Sequence, residues 1–409
     1  ASCNTYRVGD SLQAIAAGSQ WAISVSGYQG APSVDLSSLR PRGSYIASGG
    51  DSSGAASFCM IYDSIVGSMR RPTKKNGAGI VWLNYDHADL TEFLEAPYNY
   101  AFKGIYLPKV SETEKWEALL KDKKKIAQLA KAFDENRCFI CKRPENDKIT
   151  NEPLLLNLCT EVEIPHRGFC ILSVINISRY TLETIQKFKD DFLVASIDMN
   201  KYAQRAIEGA QKTELYCNSP ANRQFGLGVS GLASLLANSG VTYKEFVEAM
   251  KAVFDPSVTH PIGVYVANAK TILDTNPTPA AKIVAAIVEA YGVSTSYLKN
   301  KVNRAFVVQP SATGAYKASD SSGYHSSPEL QPVIGVRNEE GVHTFRKSAF
   351  LGNEKIVFHP KIETIVDVPM SLYDELCSLW QQMMNSTGLA HRHSSSWYGE
   401  KFKAEDLEK

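Results

Sequence analysis

Apolar and polar positions along this chain follow two periods in turn. Lys115 to Phe133 repeats apolar residues at helical spacing with charges between them, and Leu182 to Phe192 does the same, so both are predicted helices. Arg223 to Ser239 is predicted as a further helix, entered through a Gly-rich segment. Runs rich in β-branched and aromatic residues stand at Gly79 to Leu83, Phe169 to Val174 and Ala305 to Val308 and are predicted strands. Gly, Ser and Pro concentrate at Arg40 to Gly54, Pro72 to Gly79 and Gln309 to Pro332, which read as loops. Helical and strand patterns that alternate in this way predict α/β architecture over two segregated layers. No repeat period emerges, and no linker is long enough to mark a boundary.

At 409 residues the chain holds either one large domain or two. Hydrophobic residues at 44% and charged ones at 21% are ordinary for a globular protein with a sizeable core. Lys plus Arg (44) nearly cancels Asp plus Glu (43), so the global field predicts no nucleic acid partner, and any anion must be met locally. The basic run Lys121 to Lys125, broken by Asp122, lies on a helical pattern among acidic residues and reads as a solvated face. No apolar run approaches the about 18 residues a membrane helix needs, and Ala1 to Asp10 lacks a basic segment followed by an apolar one. A cytoplasmic protein without membrane association is expected. Eight cysteines are too dilute for a disulfide scaffold, so each is judged by its neighbours.

One segment concentrates chemistry. Leu154 to Val162 places Asn157, Cys159 and Glu161 at alternate positions, which in extended backbone point the same way at roughly 6.6 Å spacing. A thiolate nucleophile wants positive neighbours, whereas a carboxylate two residues away disfavours a second negative charge. Cys159 is therefore suited to stay a neutral S–H that gives and takes a hydrogen atom, with Glu161 as base. An ordinary strand with a buried cysteine accounts equally for the local pattern. Cys170 follows on an expected returning strand, and Cys3 stands at the far end of the chain; taken singly, each fits a small buried hydrophobe. Cys138 and Cys141 form a CxxC, but no second ligand pair lies at zinc-ribbon spacing, so a structural role is expected and no metal site is assigned. Ser311, Thr313 and Gly314 follow a strand-like run and let backbone N–H groups approach an anion, or else form a plain turn.

In order along the chain, Ser2-Cys3 with Gly9-Asp10-Ser11-Leu12, Leu39-Arg40 with its Gly-rich loop, Arg71 to Gly77, Asn157-Leu158-Cys159-Thr160-Glu161, Arg223 to Val229 with Gly231-Leu232-Ala233, and Pro310-Ser311-Ala312-Thr313 resemble the large catalytic subunit of ribonucleotide reductase. Each motif is weak alone; six in the family's order are specific. The resemblance implies a ten-stranded α/β barrel with a central finger loop carrying Cys159, taken as a single catalytic domain over residues 1–409 whose last strand the sequence stops short of. It implies that Cys159 becomes a thiyl radical that removes the ribose 3′ hydrogen, Glu161 takes the 3′-hydroxyl proton, and Asn157 binds substrate. Cys3 and Cys170 supply two electrons and close a disulfide, which requires α-carbons within roughly 7 Å and hence neighbouring strands. The barrel would shield the radical from water.

The same resemblance implies that Ser2, Ser311, Ala312, Thr313 and Gly314 bind the substrate. Asp10, Ser11, Leu12, Arg40, Arg71 and Lys75 would bind a deoxynucleotide or ATP effector at a homodimer interface. Ala47 and Ser48 depart from the basic residue relatives carry in the first loop. No N-terminal ATP cone is expected, nor control of overall activity by it. The compact length and the segment from Ala390 to Glu408 look most like small phage-type class I subunits, which take their radical from a separate metal-containing beta subunit and are re-reduced by thioredoxin or glutaredoxin. Alternatives are an adenosylcobalamin-dependent class II enzyme, a nucleotide-binding barrel without the chemistry, and a zinc-stabilised binding protein.

Overall fold

The computed structural model describes residues 3–69, 77–210, 212–217, 219–255, 257–310, 312–344 and 355–394. Two compact units emerge among the described residues: one takes the residues through Ile171 together with Ala206–Asn222, the other Leu172–Arg205 and the described residues from Arg223 to Ser394.

In the first unit, strands and helices alternate as expected: β1 (Cys3–Arg7), α1 (Leu12–Gly27), β2 (Ala31–Asp35), α2 (Ala55–Ser68), β3 (Ile80–Asn84), α3 (Leu90–Glu95) and β4 (Phe102–Leu107). The helices α4 (Thr113–Lys121) and α5 (Lys123–Asp134) lead to β5 (Phe139–Lys142). The strands pair in parallel in the order β5-β4-β3-β2-β1, and β8 (Phe169–Cys170) closes the other edge antiparallel to β1. Each parallel step needs a crossover, which the intervening helices provide. Their apolar faces, with Trp21, Tyr62 and Phe93, build the core on the sheet. Between β5 and β8 lies a hairpin of β6 (Leu154–Leu156) and β7 (Glu163–Pro165).

The second unit begins with β9 (Leu172–Asn176) and continues through α6 (Phe188–Ala210), β10 (Gln224–Ser230), α7 (Leu232–Ser239), α8 (Tyr243–Val253), α9 (Ile262–Thr275), α10 (Pro279–Leu298), β11 (Arg304–Val308) and α11 (Ala312–Tyr316). A three-stranded antiparallel sheet of β12 (Val336–Asn338), β13 (Gly341–Thr344) and β14 (Ile356–Phe358) follows, then α12 (Met370–Ser386) and β15 (Ala390–His393). The main sheet is parallel, in the order β15-β11-β10-β9. The segment from Leu379, expected to precede a last strand, thus itself supplies a strand. Among the described residues the hydrogen-bonded strands form open sheets.

Three expectations change. The helix read across Lys115 to Phe133 breaks at Asp122, whose carboxylate accepts the Lys125 N–H at 3.0 Å and starts α5. Lys121, Lys123 and Lys124 are exposed there, as a solvated face requires. The helix expected from Leu182 begins at Phe188, after 3-10 turns at Ile177–Arg179 and Ile185–Lys187. The helix expected over Arg223 to Ser239 is a fully buried strand, β10, followed by α7. Glycine serves close strand approach in β10: a Cβ on Gly228 would stand 2.5 Å from the Val307 carbonyl oxygen.

Candidate active site

Cys3 opens β1, and the antiparallel register sets it directly opposite Cys170 on β8. Directly opposed residues have α-carbons about 4.5–5.5 Å apart, inside the range a disulfide spans. Two cysteines separated by most of the first unit's sequence are therefore neighbours, as the disulfide requirement predicted. Both are buried thiols, Cys3 at 7% exposure and Cys170 at 0%.

The hairpin β6–β7 brings the second group of residues to this edge. Its tip is a tight turn instead of the extended run expected from alternation. The Asn157 N–H donates to the Val162 carbonyl at 3.2 Å, the Thr160 N–H donates to the Asn157 carbonyl at 3.2 Å, and Thr160 adopts φ 70°. Left-handed backbone at a β-branched residue costs of order 1–3 kcal/mol and persists where its surroundings over-determine it. The turn folds Asn157 and Glu161 onto each other instead of spacing them along one face. The Asn157 side chain is fully buried and acts as a hub: Nδ2 donates to Glu161 Oε1 at 2.9 Å and to Cys3 Sγ at 3.2 Å, and Oδ1 accepts the Val162 N–H at 3.0 Å. Glu161 is buried as well, at 1% exposure.

Cys159 stands between them in the turn, and its side chain is exposed. This corrects the expectation of a sulfur shielded from water: the turn that buries Asn157 and Glu161 on one side carries the residue between them outward. The geometry therefore joins a cysteine pair, a buried carboxylate and an amide, with a third thiol presented two residues from both amide and carboxylate. Such a set can abstract, accept and return hydrogen, and its thiol pair can hold two electrons and release them by closing a disulfide.

Neighbours absent from the sequence reading support this edge. The Tyr216 hydroxyl donates to Asn4 Oδ1 at 3.0 Å, beside Cys3, and Asn222 Oδ1 accepts the Phe169 N–H at 3.1 Å, beside Cys170. Nothing in their local sequence marks them, because both come from the segment Ala206–Asn222 that returns to this unit from far along the chain. His166, at the hairpin's exit, accepts the Arg7 N–H at 3.0 Å and packs on Tyr6. Loss of water, then the charges of Arg167 and Arg7, push its imidazole down to about 4.

Of the expected effector residues, the structure groups four. Ser11 caps α1, its hydroxyl accepting the Ala14 N–H at 3.1 Å, and Leu12 beside it is 72% exposed. Arg40 grips Asp10 twice, through its backbone N–H at 3.1 Å and Nε at 2.8 Å, and also donates to the Tyr45 carbonyl at 2.9 Å. Arg71 and Lys75 lie outside the described residues, as do Ser2 and Ser311 of the substrate set. In the second unit, β11 hands over to the short helix α11, so Ala312, Thr313 and Gly314 occupy a strand-to-helix junction, with Gly314 exposed.

The CxxC is divided by strand geometry. Residues three apart on a strand face opposite ways. Cys138 packs in the helix-covered core and Cys141 against the cluster of Trp82, Tyr106 and Leu156. Burial pushes the Cys138 thiol up to about 12. Among the described residues no group of three or more His, Cys, Asp or Glu could hold a metal, and no helix is long and apolar enough to cross a membrane.

Comparison with known proteins gives a consistent family. The profile of the family described as "Ribonucleotide reductase, barrel domain" matches residues 1–103 and 98–255. A "Vitamin B12-dependent ribonucleoside-diphosphate reductase" of Mycobacterium tuberculosis (strain CDC 1551 / Oshkosh) is 29% identical over 280 residues, covering 59% of this chain and 39% of that protein. A protein of the same description from Thermoplasma acidophilum is 24% identical over 293 residues, covering 60% of this chain and 36% of its own length. The chain thus spans under two fifths of the curated relatives it matches. Among solved structures, the "Actinobacillus ureae class Id ribonucleotide reductase alpha subunit" superposes with a TM-score of 0.66 at 16% identity, covering all of this chain and 80% of that one.

Proposed function

The chain belongs to the ribonucleotide reductase barrel-domain family, and on that premise we propose that it is the catalytic part of an enzyme that reduces ribonucleotides to 2′-deoxyribonucleotides. In this reading a thiyl radical on Cys159 takes the hydrogen from C3′ of the ribose, leaving the radical on carbon and an S–H on Cys159. Glu161 accepts the 3′-hydroxyl proton. The 2′-hydroxyl leaves as water with a proton from the Cys3/Cys170 pair, whose two electrons reduce the sugar as a disulfide closes. Cys159 then returns its hydrogen to C3′ and is again a thiyl. Asn157 holds the substrate hydroxyls beside Glu161.

The observation that carries the reading is the opposed register of Cys3 and Cys170, with Asn157 donating to both Cys3 and Glu161. A barrel without chemistry has no need to keep a buried thiol and a buried carboxylate on one amide, with a second buried thiol directly opposite the first. Ser2, Ser311, Ala312, Thr313 and Gly314 bind the substrate, and Asp10, Ser11, Leu12 and Arg40, with Arg71 and Lys75, bind a deoxynucleotide or ATP effector. In this reading the chain is a single catalytic domain of the ten-stranded α/β barrel type, the functional form is a homodimer, and thioredoxin or glutaredoxin restores the cysteine pair.

For the radical source, a separate metal-containing beta subunit is the first reading. Adenosylcobalamin is the second, favoured by the names of the curated relatives at up to 29% identity. When bound, either supplies the oxidising equivalent to Cys159, whose exposed position in the turn suits delivery from outside. The test supplies the full-length protein with ribonucleoside diphosphate or triphosphate, a dithiol, and separately adenosylcobalamin or a metal-loaded radical subunit. Deoxynucleotide formed with one source assigns the class; none with either overturns the proposed activity.

A further inference from the structure

Strands of three residues each make a hairpin that is marginal by itself. Yet the tip of β6–β7 must hold Asn157 within hydrogen-bond reach of Cys3 on another strand. What fixes it is found at Leu156, the residue before Asn157. Both backbone groups of Leu156 are taken by side chains of the sheet: its N–H donates to the Tyr106 hydroxyl at 2.9 Å, and its carbonyl accepts the Ser33 hydroxyl at 2.6 Å. Ser33 in turn accepts the indole N–H of Trp82 at 2.9 Å, which leaves the serine proton directed at Leu156. Trp82 and Tyr106 stack, with ring centroids 4.3 Å apart and planes 15° from parallel.

These residues come from three consecutive strands, β2, β3 and β4, and all are buried, with Trp82, Tyr106 and Leu156 at 0% exposure and Ser33 at 1%. The stack requires an empty place on the next strand: a Cβ on Gly104, opposite Trp82 in the register, would meet the indole at 2.3 Å. A lone edge strand would leave the Leu156 groups unsatisfied at a cost. Here two hydroxyls replace a strand partner, and each has one geometry that serves.

We infer that Ser33, Trp82 and Tyr106 are positioning residues that clamp the finger at Leu156 and thereby set the reach of Asn157 to Cys3 and Glu161. The inference rests on the reading of Cys3, Asn157, Cys159 and Glu161 as the reacting set, but the clamp itself can be measured without turnover. None of the three side chains is assigned to substrate, and they act through the backbone of the residue that precedes the hub.

The experiment uses full-length Tyr106→Phe and Ser33→Ala proteins, each of which deletes one hydroxyl. Hydrogen exchange is read at the Leu156 amide and at amides of β3 and β4, and kcat and KM are measured with whichever radical source supports turnover. The clamp predicts Leu156 exchange about tenfold faster in Tyr106→Phe, unchanged protection in β3 and β4, and kcat lowered about ten- to a hundredfold with KM within twofold. Trp82→Phe, which keeps the stack and loses the indole N–H, gives the same pattern in smaller measure and serves if either first variant fails to fold. Wild-type exchange at Leu156 in the folded variants, or kcat and KM both at wild-type values, overturns the inference. If the unsubstituted protein forms no deoxynucleotide, the proposed activity fails, and the exchange result still decides the clamp.

Discussion

Mild oxidation of the purified protein is expected to link Cys3 to Cys170 before any other pair. The two are directly opposed across β1 and β8, so their α-carbons stand about 4.5–5.5 Å apart and within disulfide range with no strand movement. Cys138, just before β5, and Cys141 on it are nearer in sequence but pack into separate clusters, so they cannot close without disrupting the strand. The bond closes a loop of roughly 170 residues, and the chain-entropy relation puts its stabilisation at about 5 kcal/mol as an upper value. For a unit of this size that raises the melting temperature by roughly 10–20 °C. Calorimetry of the reduced and diamide-treated proteins measures the shift, and a non-reduced peptide digest identifies the linkage by mass. Cys3→Ala protein should show neither. An oxidised sample in which Cys3 and Cys170 both still alkylate on unfolding would falsify the placement of the pair.

Asn157→Ala removes the acceptor of the Val162 N–H at a fully buried position, so it should cost about 1–3 kcal/mol in urea unfolding; wild-type stability would contradict the hub. Acid should weaken the second unit through His391, which is buried, and His393, which is half-buried. Burial holds His393 down to about 4, and burial with the Arg304 charge holds His391 well below its ordinary value while it contacts the Phe225 carbonyl at 3.0 Å. Unfolding returns each to about 6.5, so below that pH the unfolded chain binds protons the folded one does not. Stability then falls from about pH 6.5 towards pH 4, by up to about 1.4 kcal/mol per unit for each histidine. Equal unfolding free energies at pH 7 and pH 5 would count against this, as would an unchanged slope in His393→Gln.

The strands at Ile80–Asn84 and Arg304–Val308 were legible because β-branched and aromatic residues fill them. β10 was not: Gly226 and Gly228, there for close packing, dilute the strand signal and resemble a helix entry. The break at Asp122 was hidden because apolar spacing continues across it, although the acidic cap was in view. At the site, the residue types of Asn157, Cys159 and Glu161 were legible but their conformation was not. Alternation suggests a strand until Thr160 turns left-handed, and no local pattern in Leu154 to Val162 announces that. The meeting of Cys3 with Cys170, and the support from Ser33, Trp82, Tyr106 and Asn222, are contacts between distant segments. They depend on strand order, which periodicity does not encode, and the cysteine pairing came into view only through family resemblance.

The most direct measurement is deoxynucleotide formation by Cys159→Ser protein, under conditions where the unsubstituted protein turns over and with both showing the same melting temperature. The account predicts no product from Cys159→Ser, since a hydroxyl cannot replace the hydrogen-abstracting sulfur, while Cys3→Ala stalls after the substrate is attacked. Undiminished turnover by Cys159→Ser would contradict it.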